Sequence, residues 1–423
     1  MDANVIMTAV VQGTIVVPKD TVSTKMRRAY TYIRKGFGGE PIVTYSFSED
    51  SSYCYFNRDL VKFRRYCSLP FEYNLVEGKT IKGEMVEGFK LYHYQQEVAD
   101  NTLEHLKSDV NCLIHAPVRF GKTITLAYLL TKIQKSTLIL VDKTLLVEQM
   151  VSDIKEYTNL DIGVLDKNDT LHDVTVTTFQ FLNRNPKLLS AIKGEFGVLA
   201  VDELHVSAAS TYMETINSIP SRYRIGLTAT PTRSSDKLTG ILHDLFGSNV
   251  VEGFNPSALT ATVKVVKVDK QYHQSPYNPK ASMKNFLLSK EVQGVVYGLL
   301  KEYEGKTIMV VSDIKKVQTF YAPYALNSDM SKKERTEVMA KINLGEIKVF
   351  SGYGVMLKGI TIPKLEVIIH LFAATTKENV KQLRGRLLTP PNEGESKDPV
   401  FIEIQPKNTG WKMEQREKWL FET

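Results

Sequence analysis

From residue 89 onward the chain alternates short apolar runs with longer stretches of helical spacing. Between 89 and 253 the runs fall at 112–115, 137–141, 174–178, 198–202 and 224–228. Strands separated by helices predict βαβ units and a parallel sheet. Residues 254–423 repeat this grammar, with runs at 306–311, 347–351, 365–370 and 399–404. The polar stretch 271–279, with its prolines, reads as a loop, and 407–423 as a short amphipathic helix. The front of the chain has a different pattern. Residues 5–17 are β-branched and end at Pro18, which predicts a strand. Residues 21–35 predict a helix stopped by the glycines within 36–39. Residues 41–48 and 52–57 predict a hairpin around Glu49-Asp50-Ser51. The expected architecture is α/β: two parallel-sheet domains in tandem, 89–253 and 254–423, preceded by a small α+β domain at 1–88.

Composition agrees with real cores. Of 423 residues, 43% are hydrophobic and 24% charged, enough for roughly two to three ordinary domains. The formal net charge of +7 favours a polyanionic partner. The cysteines are Cys54, Cys67 and Cys112, with no C-x-x-C pair, so neither a zinc site nor a disulfide framework is indicated. Unpaired thiols suit a reducing cytoplasm. No apolar run approaches the ~18 residues of a membrane span. The sequence MDANVIMTAV lacks the basic and apolar regions of a signal peptide. No repeats or low-complexity tracts appear.

Ala116-Pro117-Val118-Arg119-Phe120-Gly121-Lys122-Thr123 follows an apolar run and precedes a helical one at 124–130. That is the setting a phosphate loop needs. Unpaired N–H groups at a helix N-terminus attract phosphate. Lys122 would reach the β- and γ-phosphates and Thr123 would place its hydroxyl on Mg²⁺. Ala116 stands where the general pattern has its first glycine. The plain alternative is a loop that happens to contain Gly-Lys-Thr. Asp202-Glu203-Leu204-His205 follows the apolar run 197–201, at the strand end where parallel sheets bind ligands. Asp202 could hold Mg²⁺ through water, and Glu203 could orient and deprotonate the attacking water. Taken alone, the two acids could equally cap a helix; the upstream phosphate loop favours the catalytic reading.

In this order the motifs resemble those of superfamily 2 helicases of the DExH type, over residues 90–389. Leu91-Tyr92-His93-Tyr94-Gln95-Gln96-Glu97 resembles the adenine-reading motif, with Gln95 as the base contact. Ala116 to Thr123 resembles motif I, and Leu140-Val141-Asp142-Lys143-Thr144-Leu145-Leu146 motif Ia. Val176-Thr177-Thr178 resembles the motif that touches the tracking strand. Asp202 to His205 looks like motif II. Leu227-Thr228-Ala229-Thr230-Pro231-Thr232-Arg233 resembles motif III in the form common among DNA-acting members. Residues 308–313 look like motif IV, 351–363 like motif V and Gln382-Leu383-Arg384-Gly385-Arg386 like motif VI.

The resemblance implies two RecA-like domains, with ATP and Mg²⁺ as cofactors and the nucleotide held between the domains. Lys122, Asp202, Glu203 and Arg386 would be catalytic. Gln95, Ala116, Gly121, Lys122, Thr123, Gly359 and Arg384 would contact the nucleotide, and Thr123 and Asp202 the metal. Lys143, Thr177 and Thr178 would touch nucleic acid, while His205, Thr228, Thr230 and Gln382 would couple it to hydrolysis. Arg386 would serve as the arginine finger, a role worth ~10³–10⁵ in rate. ATP binding would favour closure and hydrolysis would release it. The layout is most like phage branch-migration helicases of the UvsW type. That implies duplex or branched DNA as substrate, a monomer, a place in the host cytoplasm, and recombination or replication proteins as further partners. Three departures stand out: Arg119-Phe120 where relatives have Gly-Ser, Thr361 where an Asp is usual, and Thr389 where a second arginine is typical. An RNA helicase, a low-turnover remodelling clamp and a phosphate-loop kinase are the alternatives.

The front domain carries Lys25, Arg27, Arg28, Arg34 and Lys35 interleaved with Tyr30 and Tyr32, then Arg58, Lys62, Arg64, Arg65 and Tyr66. Basic groups neutralise phosphates and tyrosines stack on bases, so Arg27 and Arg28 are expected DNA contacts. The competing reading packs the tyrosines inward and leaves the charges solvated. On the first reading, a chain starting near Gly88 keeps some ATPase and loses its preference for branched DNA.

Overall fold

The front segment folds around hairpins. Its strands are β1 (Ala9–Val11), β2 (Ile15–Pro18), β3 (Thr31–Lys35), β4 (Pro41–Tyr45), β5 (Phe47–Glu49), β6 (Tyr53–Phe56) and β7 (Phe71–Tyr73). These belong to a computed structural model that describes the chain except for 1–7, 36–40, 118–119, 166–169, 203–209, 230–238, 255–259, 274, 276, 327–328, 353–361, 372–376, 389–396 and 408–423. One sheet runs β5-β6-β2-β1-β7, and β3 and β4 form a separate ribbon. The single strand expected over 5–17 is a hairpin, because the chain turns back at Gly13, where Gln12 N–H donates to Thr14 O. The helix expected over 21–35 covers only Thr24–Ala29, capped by the Ser23 hydroxyl. Thr31, Tyr32 and Ile33 are strand formers, and pairing with β4 (Ile33 opposite Val43) overrides the helical spacing. The expected hairpin is accordingly reassigned: β4 pairs with β3, and only the short β5 of the run expected at 41–48 pairs with β6, which has β2 on its other side.

The central apolar runs form a parallel sheet. Its strands are β8 (Asn111–His115), β9 (Thr137–Val141), β10 (Ile162–Val164), β11 (Val174–Thr178), β12 (Val198–Val201), β13 (Tyr223–Thr228) and β14 (Val250–Glu252). The order is β10-β11-β9-β12-β13-β8-β14, with every pair parallel. Alternate residues feed opposite faces: Cys112 and Ile114 enter one core layer, and Leu113 enters the other. Helices cover both faces, so the central strands are buried along their length rather than alternately exposed.

The chain divides into two compact units, Met1–Pro256 and Ser257–Thr423. The front segment therefore belongs with the first parallel sheet, and buried polar groups join them. The fully buried Arg58 donates to Asn111 Oδ1 (2.9 Å), to the carbonyls of Ser221 (2.7 Å) and Gln12 (3.2 Å), and to that of Val110 (3.4 Å). Arg224, also fully buried, donates to the carbonyls of Gly13 (2.9 Å), Ile216 (3.0 Å) and Leu245 (3.2 Å). Gly13 approaches so closely that a Cβ there would lie 1.8 Å from Asn217 O. Asp244 accepts from Lys62 Nζ (2.6 Å) and Tyr32 OH (2.7 Å). Burial raises the Asp244 carboxyl pKa, and Lys62 opposes that shift.

The second unit repeats the architecture. Its strands are β15 (Thr262–Val268), β16 (Ile308–Val311), β17 (Ala325–Leu326), β18 (Val349–Gly352), β19 (Val367–Leu371) and β20 (Val400–Pro406), all parallel in the order β15-β20-β19-β16-β18-β17. Ile308 and Val310 face one core layer, Met309 and Val311 the other. The helix Lys332–Leu344 opens with a capping box. Ser331 Oγ accepts from Glu334 N–H (3.2 Å), and the Glu334 carboxylate accepts from Ser331 N–H (2.8 Å). Both units are thus RecA-like parallel-sheet domains. Among the described residues, no helix is long and apolar enough to cross a membrane.

Candidate nucleotide-binding site

The loop after β8 is held at both ends. Ala116, fully buried, donates its N–H to Thr228 O (3.0 Å), tying the loop's entry to the buried end of β13. At its exit Gly121 adopts φ +92°, a left-handed turn that opens the helix Lys122–Ile133. Lys122 Nζ donates to the carbonyls of Ala116 (3.2 Å) and Pro117 (3.3 Å). Its ammonium is thereby folded over the loop that would take phosphate. Thr123 is half-buried in the first turn of the helix, at the positive end of its dipole.

Gln95 lies against this loop from the first turn of the helix His93–Ser108. Its Oε1 accepts from Tyr92 N–H (3.0 Å), and its Nε2 donates to Phe120 O (2.8 Å). The carboxamide is only 3% exposed. Tyr94 and Phe120 meet edge to face, with ring centroids 5.2 Å apart. Phe120 is 1% exposed and belongs to the domain core. Sequence reasoning singled out Arg119-Phe120 as a departure without placing it; its signal was a bulky aromatic inside a phosphate loop.

Asp202 follows β12 at the same C-terminal sheet edge, with β13 between it and β8. Its N–H donates to Leu140 O (3.1 Å), and it is half-buried. One hydroxyl and one carboxylate on that edge fit Mg²⁺, which keeps waters and substrate phosphates as its other ligands. Glu203, His205, Thr230 and Gly359 lie outside the described residues, as do Thr361 and Thr389.

The expected nucleic-acid contacts divide. Lys143 is exposed where the helix Thr144–Tyr157 begins. Thr177 is buried and donates to Leu165 O (3.2 Å), while Thr178 caps the helix Phe179–Arg184 by accepting from Phe181 N–H (3.1 Å). Arg27 is held by Glu49 (3.1 Å) and by Val22 O (2.8 Å), whereas Arg28 is exposed. Tyr30 is buried and Tyr32 bonds Asp244, so these tyrosines pack inward and do not serve as stacking platforms. In the second unit the helix Lys377–Leu387 carries Gln382, Arg384 and Arg386. Arg384 and Arg386 are half-buried, and desolvation pulls the Arg384 guanidinium pKa down. The Gln382 side chain is outside the described residues.

Residues 88–233 match the family model for the type III restriction enzyme res subunit, and 288–388 match the helicase conserved C-terminal domain. The two matches together cover more than half of the chain. The chain is 23% identical over 353 residues to a protein of Escherichia phage T5 named "Probable helicase", covering 78% of this chain and 77% of that one. It is 23% identical over 412 residues to the DNA 3'-5' translocase XPB2 of Sulfurisphaera tokodaii, covering 82% of this chain and 92% of that one. It is 24% identical over 361 residues to the DNA 3'-5' helicase XPB of Kineococcus radiotolerans, covering 79% of this chain and 63% of that one. Among solved structures it resembles the ATP-dependent type ISP restriction-modification enzyme LlaBIII bound to DNA, with a TM-score of 0.60 and 16% identity. The match spans 78% of this chain and 29% of that longer one.

Proposed function

The chain belongs to helicase superfamily 2 and is an ATP-hydrolysing helicase; from that premise we propose that it is a DNA translocase remodelling branched DNA such as forks, junctions and D-loops. The observation that carries the reading is the loop of Ala116 to Thr123, its lysine folded over it and Asp202 on the same sheet edge. In this reading Lys122 and Thr123 hold the triphosphate. Thr123 and Asp202 would hold Mg²⁺, which would supply positive charge against it. Glu203 takes the proton of the attacking water. Arg386 would supply positive charge to the transferring phosphoryl group, with Arg384 as its weaker substitute. Lys143 and Arg28 have exposed cations for DNA phosphates. The net charge, the Thr-Ala-Thr-Pro form of motif III, and relatives whose names specify DNA support DNA over RNA. The phage-type branch-migration role rests on the layout of motifs.

Gln95 should set the choice of base. A carboxamide has two N–H donors and two acceptor sites. Tyr92 and Phe120 take one of each, which leaves one donor beside one acceptor in a fixed orientation. Adenine offers the complementary pair on its N6/N7 edge, whereas guanine offers two acceptors there. Gln95→Glu removes the donor, so the ratio of kcat/KM for ATP over GTP should fall about tenfold. An unchanged ratio would remove Gln95 from base recognition.

Glu203→Gln keeps the shape of the side chain and loses the base. Nucleotide and DNA binding should persist while steady-state turnover stops. Turnover near the wild-type rate in a variant that binds ATP poorly would contradict the role given to Glu203.

A further inference from the structure

Phe120 stands inside the phosphate loop, yet its side chain is core. Its ring meets Tyr94 edge-on at 5.2 Å and is 1% exposed. On another side lies Gly253, just beyond β14, whose N–H donates to His115 O (2.7 Å). A Cβ on Gly253 would come within 2.8 Å of the Phe120 ring and 3.0 Å of Ala116 Cβ. The ring therefore fills a slot bounded by Tyr94, Ala116 and the bare backbone of Gly253. Its main chain is equally fixed: Phe120 N–H donates to Pro117 O (3.2 Å) and Phe120 O accepts from Gln95 Nε2 (2.8 Å). A Cβ on Gly121 would sit 2.2 Å from that same Nε2. One residue thus joins the loop, the proposed base-reading glutamine and the domain core.

We infer that Phe120 is a positioning residue for nucleotide binding: its ring pins the phosphate loop to the core so that the loop amides and the Gln95 carboxamide are set together before ATP arrives. Pre-organisation lowers the ordering cost of binding. Loss of the ring should therefore weaken ATP binding more than it slows the chemistry. A small residue at this position would leave the loop to be ordered by the nucleotide itself.

The inference rests on the phosphate-loop reading, and the test separates the two. Steady-state ATPase with saturating DNA is measured for Phe120→Ala, Phe120→Leu and Phe120→Met, beside Lys122→Ala. Binding of a fluorescent ATP analogue and thermal melting are followed for each. Phe120→Ala should raise KM and Kd about tenfold, with kcat at saturating ATP within about twofold of wild type. Its preference for ATP over GTP should fall as well, because the main-chain carbonyl of residue 120 that orients Gln95 is no longer held in place by the ring. Phe120→Met should restore most of the affinity, since an unbranched thioether fills the slot and contacts Tyr94. If Phe120→Ala fails to fold, the leucine variant carries the test, with a smaller rise in KM expected. A folded alanine or leucine variant with unchanged KM, or with kcat reduced at unchanged KM, would overturn the assignment. Were Lys122→Ala to bind and hydrolyse ATP normally, the phosphate-loop reading itself would fall.

Discussion

Lys122→Ala is expected to abolish ATP hydrolysis while leaving the first unit folded. Among the described residues, Lys122 Nζ donates to the neutral carbonyls of Ala116 (3.2 Å) and Pro117 (3.3 Å) in its own loop. These are exchanged for phosphate oxygens when nucleotide binds, and a charge-assisted bond is roughly twice as strong as a neutral one. Alanine removes that cation from the developing charge of the transferring phosphoryl group. Loss of one such electrostatic contact costs about 10²–10³ in kcat. Losing hydrogen bonds as long as these, to neutral carbonyls, has little effect on folding. The check is ATPase rate beside a thermal melt. Near wild-type turnover, or a collapse of the melting temperature without nucleotide, would be the wrong outcome.

The second large effect concerns the front segment. Its basic residues suggested a detachable DNA-binding module, and the structure gives a different expectation. A chain beginning at Gly88 would leave Arg224 without Gly13 O, Asn111 without Arg58, and the buried Asp244 without Lys62 and Tyr32. Removing one partner of a buried charge pair costs about 3–5 kcal/mol. That is a large share of the ~5–15 kcal/mol that holds a domain folded. The truncated protein should therefore unfold or aggregate and lose ATPase along with structure. Circular dichroism melting of residues 88–423 against the full chain is the measurement. A cooperative transition at the full-length temperature would show that these buried contacts contribute little. The DNA role proposed for Arg28 is better tested by Arg28→Glu in the intact chain, since Arg27 is held by Glu49.

What the sequence revealed follows from where apolar residues go. A strand such as Thr137–Val141 is buried on both faces, so its apolar run is nearly continuous and its limits fall where the pattern places them. The ribbon of β3 and β4 was missed because Thr31 to Lys35 continues the spacing of the helix before it. Its strand character depends on pairing with residues 41–45, across a turn that the helical spacing does not announce. Arg58 and Arg224 were illegible as core residues. An arginine in sequence reads as solvated charge, and its burial here is decided by carbonyls of residues 12, 13, 110, 216, 221 and 245, spread across the chain. The phosphate loop was legible as a motif, because Gly-Lys-Thr between a strand and a helix has a local signature. The role of Phe120 was not, because its slot is made by Tyr94 and Gly253, which no spacing brings together.

The central claim is that DNA switches on ATP hydrolysis at this site. The measurement that tests it most directly is steady-state ATPase of the intact protein alone and with single-stranded DNA, duplex, fork, four-way junction and RNA, side by side. The account predicts a low rate alone, several-fold stimulation by DNA with forks and junctions strongest, and little response to RNA. A rate that is the same with and without every nucleic acid would contradict it.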